Sequence, residues 1–316
     1  MPAPSTPRVN ELDIAIGGRL LRTACLRDEY YTALPDPAAM VAALKAARVG
    51  ADLFTFVQEL DDREPHFPYV RELDDMAVLP VTTYKHWFDK QIRFKPRNKL
   101  KKAIKLGVQV RPVEFDDELL HGIMTIYNET RLRQGKANWH YGKDLETLRR
   151  EHASFADRSE FIGAYFEREL IGFAKITHSA NYSIIMNIVA KVAHRDKSPT
   201  NALIAKAVEC VAERRIPLLN FGVWGRRGLN EFKVANAFER FSVPRYHVPL
   251  TLRGELALKL GLHRSLKDRL PEHWIVAAAN LRDRINQRRY REEPQAAATP
   301  TEPRVQQTSL ESGVGH

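Results

Sequence analysis

Between Phe161 and Val248 the chain runs through three apolar strand-like segments. A basic loop follows, in which Ser198 and Pro199 open an amphipathic helix, and then a strand, a short helix and a final strand. This order constrains the fold more than any bulk property does. FIGAYF, LIGFAKITH and YSIIMNIVAKVA are separated only by short polar breaks at Glu167-Arg168-Glu169 and Ser179-Ala180-Asn181, so they must pair as an antiparallel meander. In the third segment, strict alternation places Tyr182, Ile184, Met186, Ile188 and Val192 on one side and Ser183, Asn187 and Lys191 on the other, with the polar side toward a cleft. A mixed sheet ending this way offers backbone donors to a phosphorylated or acylated ligand.

The helix from Pro199 to Arg214 buries Leu203, Ile204, Ala207, Val208 and Val211, with Ser198 expected at its N-cap. The first-turn amides of Thr200, Asn201 and Ala202 lack intrahelical acceptors and can face an anion, with Arg195 and Lys197 adding positive charge.

The preceding sequence is α+β in character. A strand is expected from Asp13 to Cys25, a helix over Pro37 to Arg48 capped by Asp36 and stopped at Gly50, and strands at Asp52–Glu59 and Met76–Val81. A basic helix after Pro96 runs to Leu106, and a strand follows to Val113. A longer helix starts at Asp116 and carries through Arg133 to a stop at Gln134-Gly135. The segment KANWHYGKD then groups Trp139, His140 and Tyr141; it either lines a site or pins a loop to the core. A further helix is expected from Asp144 to about Phe155.

Charge is concentrated. From Lys85 to Lys105 there are nine Lys or Arg against the single acid Asp89, so this segment carries most of the chain's net +10. Such a patch fits an anionic partner or a solvated helix face. Two cysteines, Cys25 and Cys210, are too few for a disulfide framework or a cysteine zinc site, and no metal is expected. No apolar run reaches the ~18 residues of a membrane span and no signal pattern opens the chain, so a cytoplasmic location is expected. P-loop, dinucleotide, HExxH and GxSxG patterns are missing from the sequence.

Four passages are similar to the GNAT superfamily of N-acyltransferases, and more closely to its FemAB-like branch. They are Arg97-Asn98 through Lys105-Leu106-Gly107-Val108; Tyr127-Asn128-Glu129-Thr130 with Arg133-Gln134-Gly135; His194 through Asn201; and Asn220-Phe221-Gly222 with Leu229 through Glu239. The resemblance implies a mixed, mainly antiparallel α+β sheet flanked by helices. Residues 91–252 would form the acyltransferase domain and 1–90 an α+β segment that is a reduced first half of a tandem or an unrelated cap. A basic helical extension over 253–291 and a disordered tail over 292–316 would follow.

The resemblance also implies an activated acyl donor and an amine acceptor, such as an amino sugar or a peptide-linked cell-envelope precursor. Arg195, Lys197, Ser198, Thr200 and Asn201 would bind the donor. Arg97, Lys101, Tyr141, Asn187 and Trp224 would bind the acceptor, and Lys233, Glu129 and His140 would serve the chemistry. Acyl-CoA enzymes of the superfamily usually carry glycines where Ser198 and Thr200 stand, and a proton-donating tyrosine where Lys233 stands. Acyl-CoA and aminoacyl-tRNA, which FemAB relatives use, are thus both open as donors. The oligomeric state is open as well. The competing expectation is a non-catalytic module of the same fold that binds RNA or an anionic surface through Lys85 to Lys105.

Overall fold

A computed structural model describes residues 7–133, 136–225 and 228–264. The strands are β1 (Arg8–Val9), β2 (Leu12–Gly17), β3 (Thr23–Leu26), β4 (Leu53–Val57), β5 (Val70–Pro80), β6 (Gln109–Val113), β7 (Leu132–Arg133), β8 (Lys136–Ala137), β9 (Ser159–Phe166), β10 (Glu169–His178), β11 (Tyr182–Ala190), β12 (Leu218–Val223) and β13 (Glu239–Pro249). The helices are α1 (Pro37–Ala46), α2 (Tyr84–His86), α3 (Phe94–Lys105), α4 (Asp117–Asn128), α5 (Leu145–His152), α6 (Pro199–Glu213), α7 (Gly228–Ala235) and α8 (Leu252–Lys259).

Eleven strands form one sheet in the order β1-β2-β3-β4-β13-β5-β12-β11-β10-β9-β6, while β7 and β8 make a separate ribbon. The sheet is mainly antiparallel; among the described residues only the pairs β3/β4 and β11/β12 run parallel. Strand β5 lies between β12 and β13, so the strands of residues 7–90 share one continuous sheet with the later ones. Helices α3 and α6 cover one face of β9 to β11, burying Leu100, Ala103, Leu203, Ile204 and Val208 against Ile162, Ala174 and Ile185. Helices α4 and α5 cover the other face through Leu120, Ile123, Ile126, Leu148 and Phe173. A second core packs α1 through Met40 and Leu44 against Phe54, Phe56 and Tyr246.

The meander forms as its short breaks require, with Glu167 and Arg168 at φ 48° and 70°, the left-handed pair of a type I′ hairpin turn. Helix α1 begins where Asp36 accepts a hydrogen bond from the Ala39 amide at 2.9 Å.

Three expectations are corrected. The single strand over Asp13–Cys25 is the hairpin β2–β3, because Gly18 turns the chain at φ 93° in a place where a Cβ would sit 2.0 Å from the Leu21 carbonyl oxygen. Helix α4 ends at Asn128, five residues before Arg133. Its last carbonyls are taken from outside, Ile126 O by Arg133 at 3.0 Å and Tyr127 O by Asn138 Nδ2 at 2.8 Å.

The alternation along β11 also fails. A β-bulge leaves Met186 unpaired, with Asn187 facing Lys175 and Ile185 facing Ile176. One extra residue exchanges the faces, so Ile184 packs with Met76 and Val78 while Ile188 joins the core under α6.

The Gln134-Gly135 stop, the extension beyond residue 264 and the 292–316 tail lie outside the described residues. Among the described residues no helix is long and apolar enough to cross a membrane.

Candidate active site

The parallel strands β11 and β12 pair only over Tyr182–Ile184 and Leu218–Asn220. Beyond that point β12 stays with β5, Gly222 turns its backbone at φ 70°, and β11 stays with β10. The two C-terminal halves diverge, and among the described residues no strand occupies the edge of β11 after Ile184. An extended ligand bearing amides can dock on such an edge through backbone hydrogen bonds.

Lys233 stands at the β12 side of this gap. Its helix is fixed from behind: the Trp87 indole donates to Asn236 O at 3.1 Å and the Arg93 amide to Ala235 O at 3.0 Å. Its side chain is 2% exposed, with Nζ donating to Val223 O at 2.8 Å and lying 5.0 Å from the centre of the Phe221 ring. Burial pushes its pKa down to about 8. A helix lysine normally faces water, so this burial is a property of the fold that helical spacing does not announce. Trp224 follows on the same wall, half-buried, its amide donating to Asp75 O at 2.6 Å.

On the β11 side, Glu129 accepts the Val192 and Ala193 amides at 2.6 and 2.8 Å. Both carboxylate oxygens are thereby committed to the backbone where β11 leads into the basic loop. Arg133 joins this clamp, donating to Ala190 O at 2.9 Å and standing 3.5 Å from Glu129. Glu169 holds the same loop from β10, pairing with Lys191 and, at 3.0 Å, with His194. Sequence reasoning did not read this clamp: Glu169 meets Lys191 and His194 only through strand pairing, and Glu129 and Arg133, although four residues apart, reach the loop only through the tertiary fold.

The loop itself forms a 3₁₀ turn over Arg195–Lys197. Arg195 is exposed, and Lys197 lies over the Phe166 ring at 4.8 Å. Ser198 occupies the N-cap position of α6, but its side chain caps nothing and its backbone is left-handed, φ 57° and ψ 43°. That conformation favours glycine. The expectation of three free first-turn amides is corrected: Asn201 and Ala202 donate to Ser198 O at 3.1 and 3.4 Å, leaving the Thr200 amide without an acceptor among the described residues. Asn201 is buried and Thr200 half-buried.

The remaining residues are distributed around this centre. Helix α3 packs beside α6 and the 195–197 turn. Lys101 is exposed on it along with Lys95, Lys99, Lys102 and Lys105, whereas Arg97 turns inward to Ile92 O at 2.9 Å and Asp89 O at 3.2 Å. Asn187 is half-buried on β11.

His140 is stacked on Tyr127 and lies tilted against Trp139, with ring centroids 3.9 and 3.7 Å away, and burial together with Lys143 pushes its pKa down to about 4. A base that weak is mismatched to neutral pH. Tyr141 is exposed beneath the Arg131 guanidinium at 5.3 Å. A separate small recess lies where Tyr30, Glu59, Met76, Tyr182 and Asn220 meet.

No protein-family model matches this sequence, and no curated protein matches it. Solved structures do. The C-terminal domain (DUF2156) of a putative lysylphosphatidylglycerol synthetase from Agrobacterium fabrum is similar at 12% identity and TM-score 0.52, over 78% of this chain and 83% of that one. FemX is similar at 11% identity and TM-score 0.53, over 78% of this chain and 86% of that one. L-PGS from Bacillus licheniformis is similar at 16% identity and TM-score 0.50, over 74% and 80% respectively. At these identities the likeness shows the fold.

Proposed function

Taking as premise that the chain has a GNAT-like fold of the FemAB branch, we propose that it transfers an acyl or aminoacyl group from an activated donor to an amine. The observation that carries this reading is the buried Lys233 ammonium at the wall of the β11–β12 gap. Its Nζ has three donors and gives one to Val223 O, so two are left for a reacting group.

The chemistry is direct. The acceptor amine attacks the donor carbonyl carbon, a C–N bond forms, and charge collects on the carbonyl oxygen. The C–S or C–O bond to the leaving group then breaks, and the proton lost by the amine is balanced by one gained by the leaving thiolate or alkoxide. Lys233 supplies positive charge where that anion develops and delivers the proton, taking the place that a tyrosine holds in acyl-CoA relatives. With a pKa of about 8 it is mostly protonated at neutral pH yet gives up its proton readily.

The free edge of β11 aligns the donor, and the loop over Arg195 to Thr200 takes its phosphate. Glu129 and Arg133 act as positioning residues that fix this loop. The side of the sheet under α4 and α5, with Asn187, Tyr141 and the 136–143 loop, receives the acceptor. The structural likeness to a putative lysylphosphatidylglycerol synthetase domain favours an aminoacyl donor over a plain acyl-CoA. The exposed lysines of α3 beside the donor loop suit an aminoacyl-tRNA, whose backbone is a long polyanion. Acyl-CoA is the simpler alternative, with cytoplasmic supply in either case.

The test incubates the purified chain with aminoacyl-tRNA or acyl-CoA and a panel of amines, reading products by mass spectrometry. Amide product with one donor class supports the reading. Folded protein that turns over neither donor refutes it.

A further inference from the structure

Away from the gap, Glu72 of β5, His247 of β13 and His263, which follows α8, bring a carboxylate and two imidazoles together. Their ligand atoms all lie within 4.8 Å of one another. The Nε2 atoms of His247 and His263 stand 3.4 Å from Oε2 and Oε1 of Glu72. The His247 and His263 side chains are only 8% and 4% exposed, and no hydrogen bond of acceptable geometry reaches any of their four ring nitrogens.

Burying a polar nitrogen without a partner is unfavourable, and two adjacent imidazoles with all four nitrogens in that condition call for a specific cause. In a tetrahedral zinc site, bonds of ~2.0–2.1 Å set neighbouring ligand atoms ~3.3–3.4 Å apart. The two imidazole–carboxylate separations found here match that spacing. Two histidines and a glutamate are a known ligand set for zinc with one position left to solvent, and imidazole disfavours calcium and magnesium.

We propose that Glu72, His247 and His263 form a binding site for one divalent zinc-type cation. The three ligands come from two neighbouring strands and from the chain just beyond α8, so the ion fastens the start of the C-terminal extension to the sheet. Arg264 stands 3.2 Å from Oε1 of Glu72, the oxygen that also faces His263, so the guanidinium and the metal share one carboxylate. The expectation that the chain lacks a metal site rested on its two cysteines. Glu72 lies 175 residues before His247, which is itself 16 residues before His263, so the set matches no compact metal-ligand spacing in the sequence.

The site is separate from acyl transfer, and its test does not depend on turnover. Tag-free full-length protein is stripped with chelator and titrated with Zn(II) by calorimetry and with Co(II) by visible absorption. The expected result is one equivalent bound, d–d bands of a low-coordinate cobalt, and a melting temperature raised by several degrees at saturating zinc. His263→Ala and Glu72→Gln should each weaken zinc binding by at least tenfold to hundredfold while circular dichroism stays unchanged. His263 belongs to no helix or strand, so its variant keeps the test valid if Glu72→Gln fails to fold. Wild-type protein that binds no zinc, or variants that bind it as tightly as wild type, would overturn the proposal.

Discussion

Two buried lysines, Lys175 on β10 and Lys233 on α7 beside the gap, invite comparison, because burial pushes both pKa values down to about 8. They differ in what their ammonium groups do. Lys175 donates to His152 O at 2.8 Å, to Ser154 O and to Ser154 Oγ at 3.2 Å, which uses all three protons. Lys233 uses one. The first is a polar bolt joining α5 to the sheet, and the second is a charge held in place with capacity to spare. The difference teaches that neither burial nor a displaced pKa separates a structural lysine from a candidate catalytic one; the proposed role of Lys233 rests instead on unspent hydrogen-bonding capacity beside an open strand edge.

The largest effect expected from this contrast is on rate. Lys233→Met should lower kcat/KM by about 10²–10³-fold, the usual loss when one donor to a developing anion is removed, with little change in urea midpoint. A comparable loss of stability with intact specific activity would make Lys233 a second Lys175. The converse variant, Lys175→Met, leaves His152 O and Ser154 O without their donor and should cost about 3 kcal/mol of unfolding free energy, with kcat per folded molecule retained.

The pH profile sharpens the same comparison. If the protonated Lys233 is the acid, activity is full below its pKa of about 8 and falls above it. Initial rates at pH 9 should then be about tenfold below those at pH 7, with the fall removed in Lys233→Arg. The smallest effect belongs to the clamp. Glu129→Gln loosens the hold on the Val192 and Ala193 amides and should raise the donor KM by roughly fivefold to tenfold with kcat nearly unchanged, whereas a general base at this position would show its loss in kcat.

What the sequence disclosed was whatever local chemistry enforces. Asp36 before Pro37 marks α1, and the short break at Glu167-Arg168-Glu169 calls for a hairpin, whose turn the structure narrows to Glu167 and Arg168. The bulge at Met186 has no such mark: no glycine or proline stands there, and the mismatch arises from pairing with β10, so alternation placed the faces of β11 wrongly. Helix α4 was read too long because its end is set by Arg133 and Asn138 returning from the following ribbon. Lys233 was picked out by resemblance to a motif, while its burial depends on Phe221, Val223 and the backing of α7 by the chain around Trp87, none of which is local to it.

The placement of β5 between β12 and β13 governs how this protein can be made. Ser242 Oγ reaches Asp75 Oδ1 at 2.6 Å across 167 residues of chain, one of many contacts along that pair. During synthesis β5 leaves the ribosome with both edges bare and waits for the last strand before the sheet can close. Loop closure over such a span favours slow folding. A cut near residue 90 would therefore yield two pieces that each lack a neighbour, and mixing the pieces, more than expressing either alone, should restore a closed sheet.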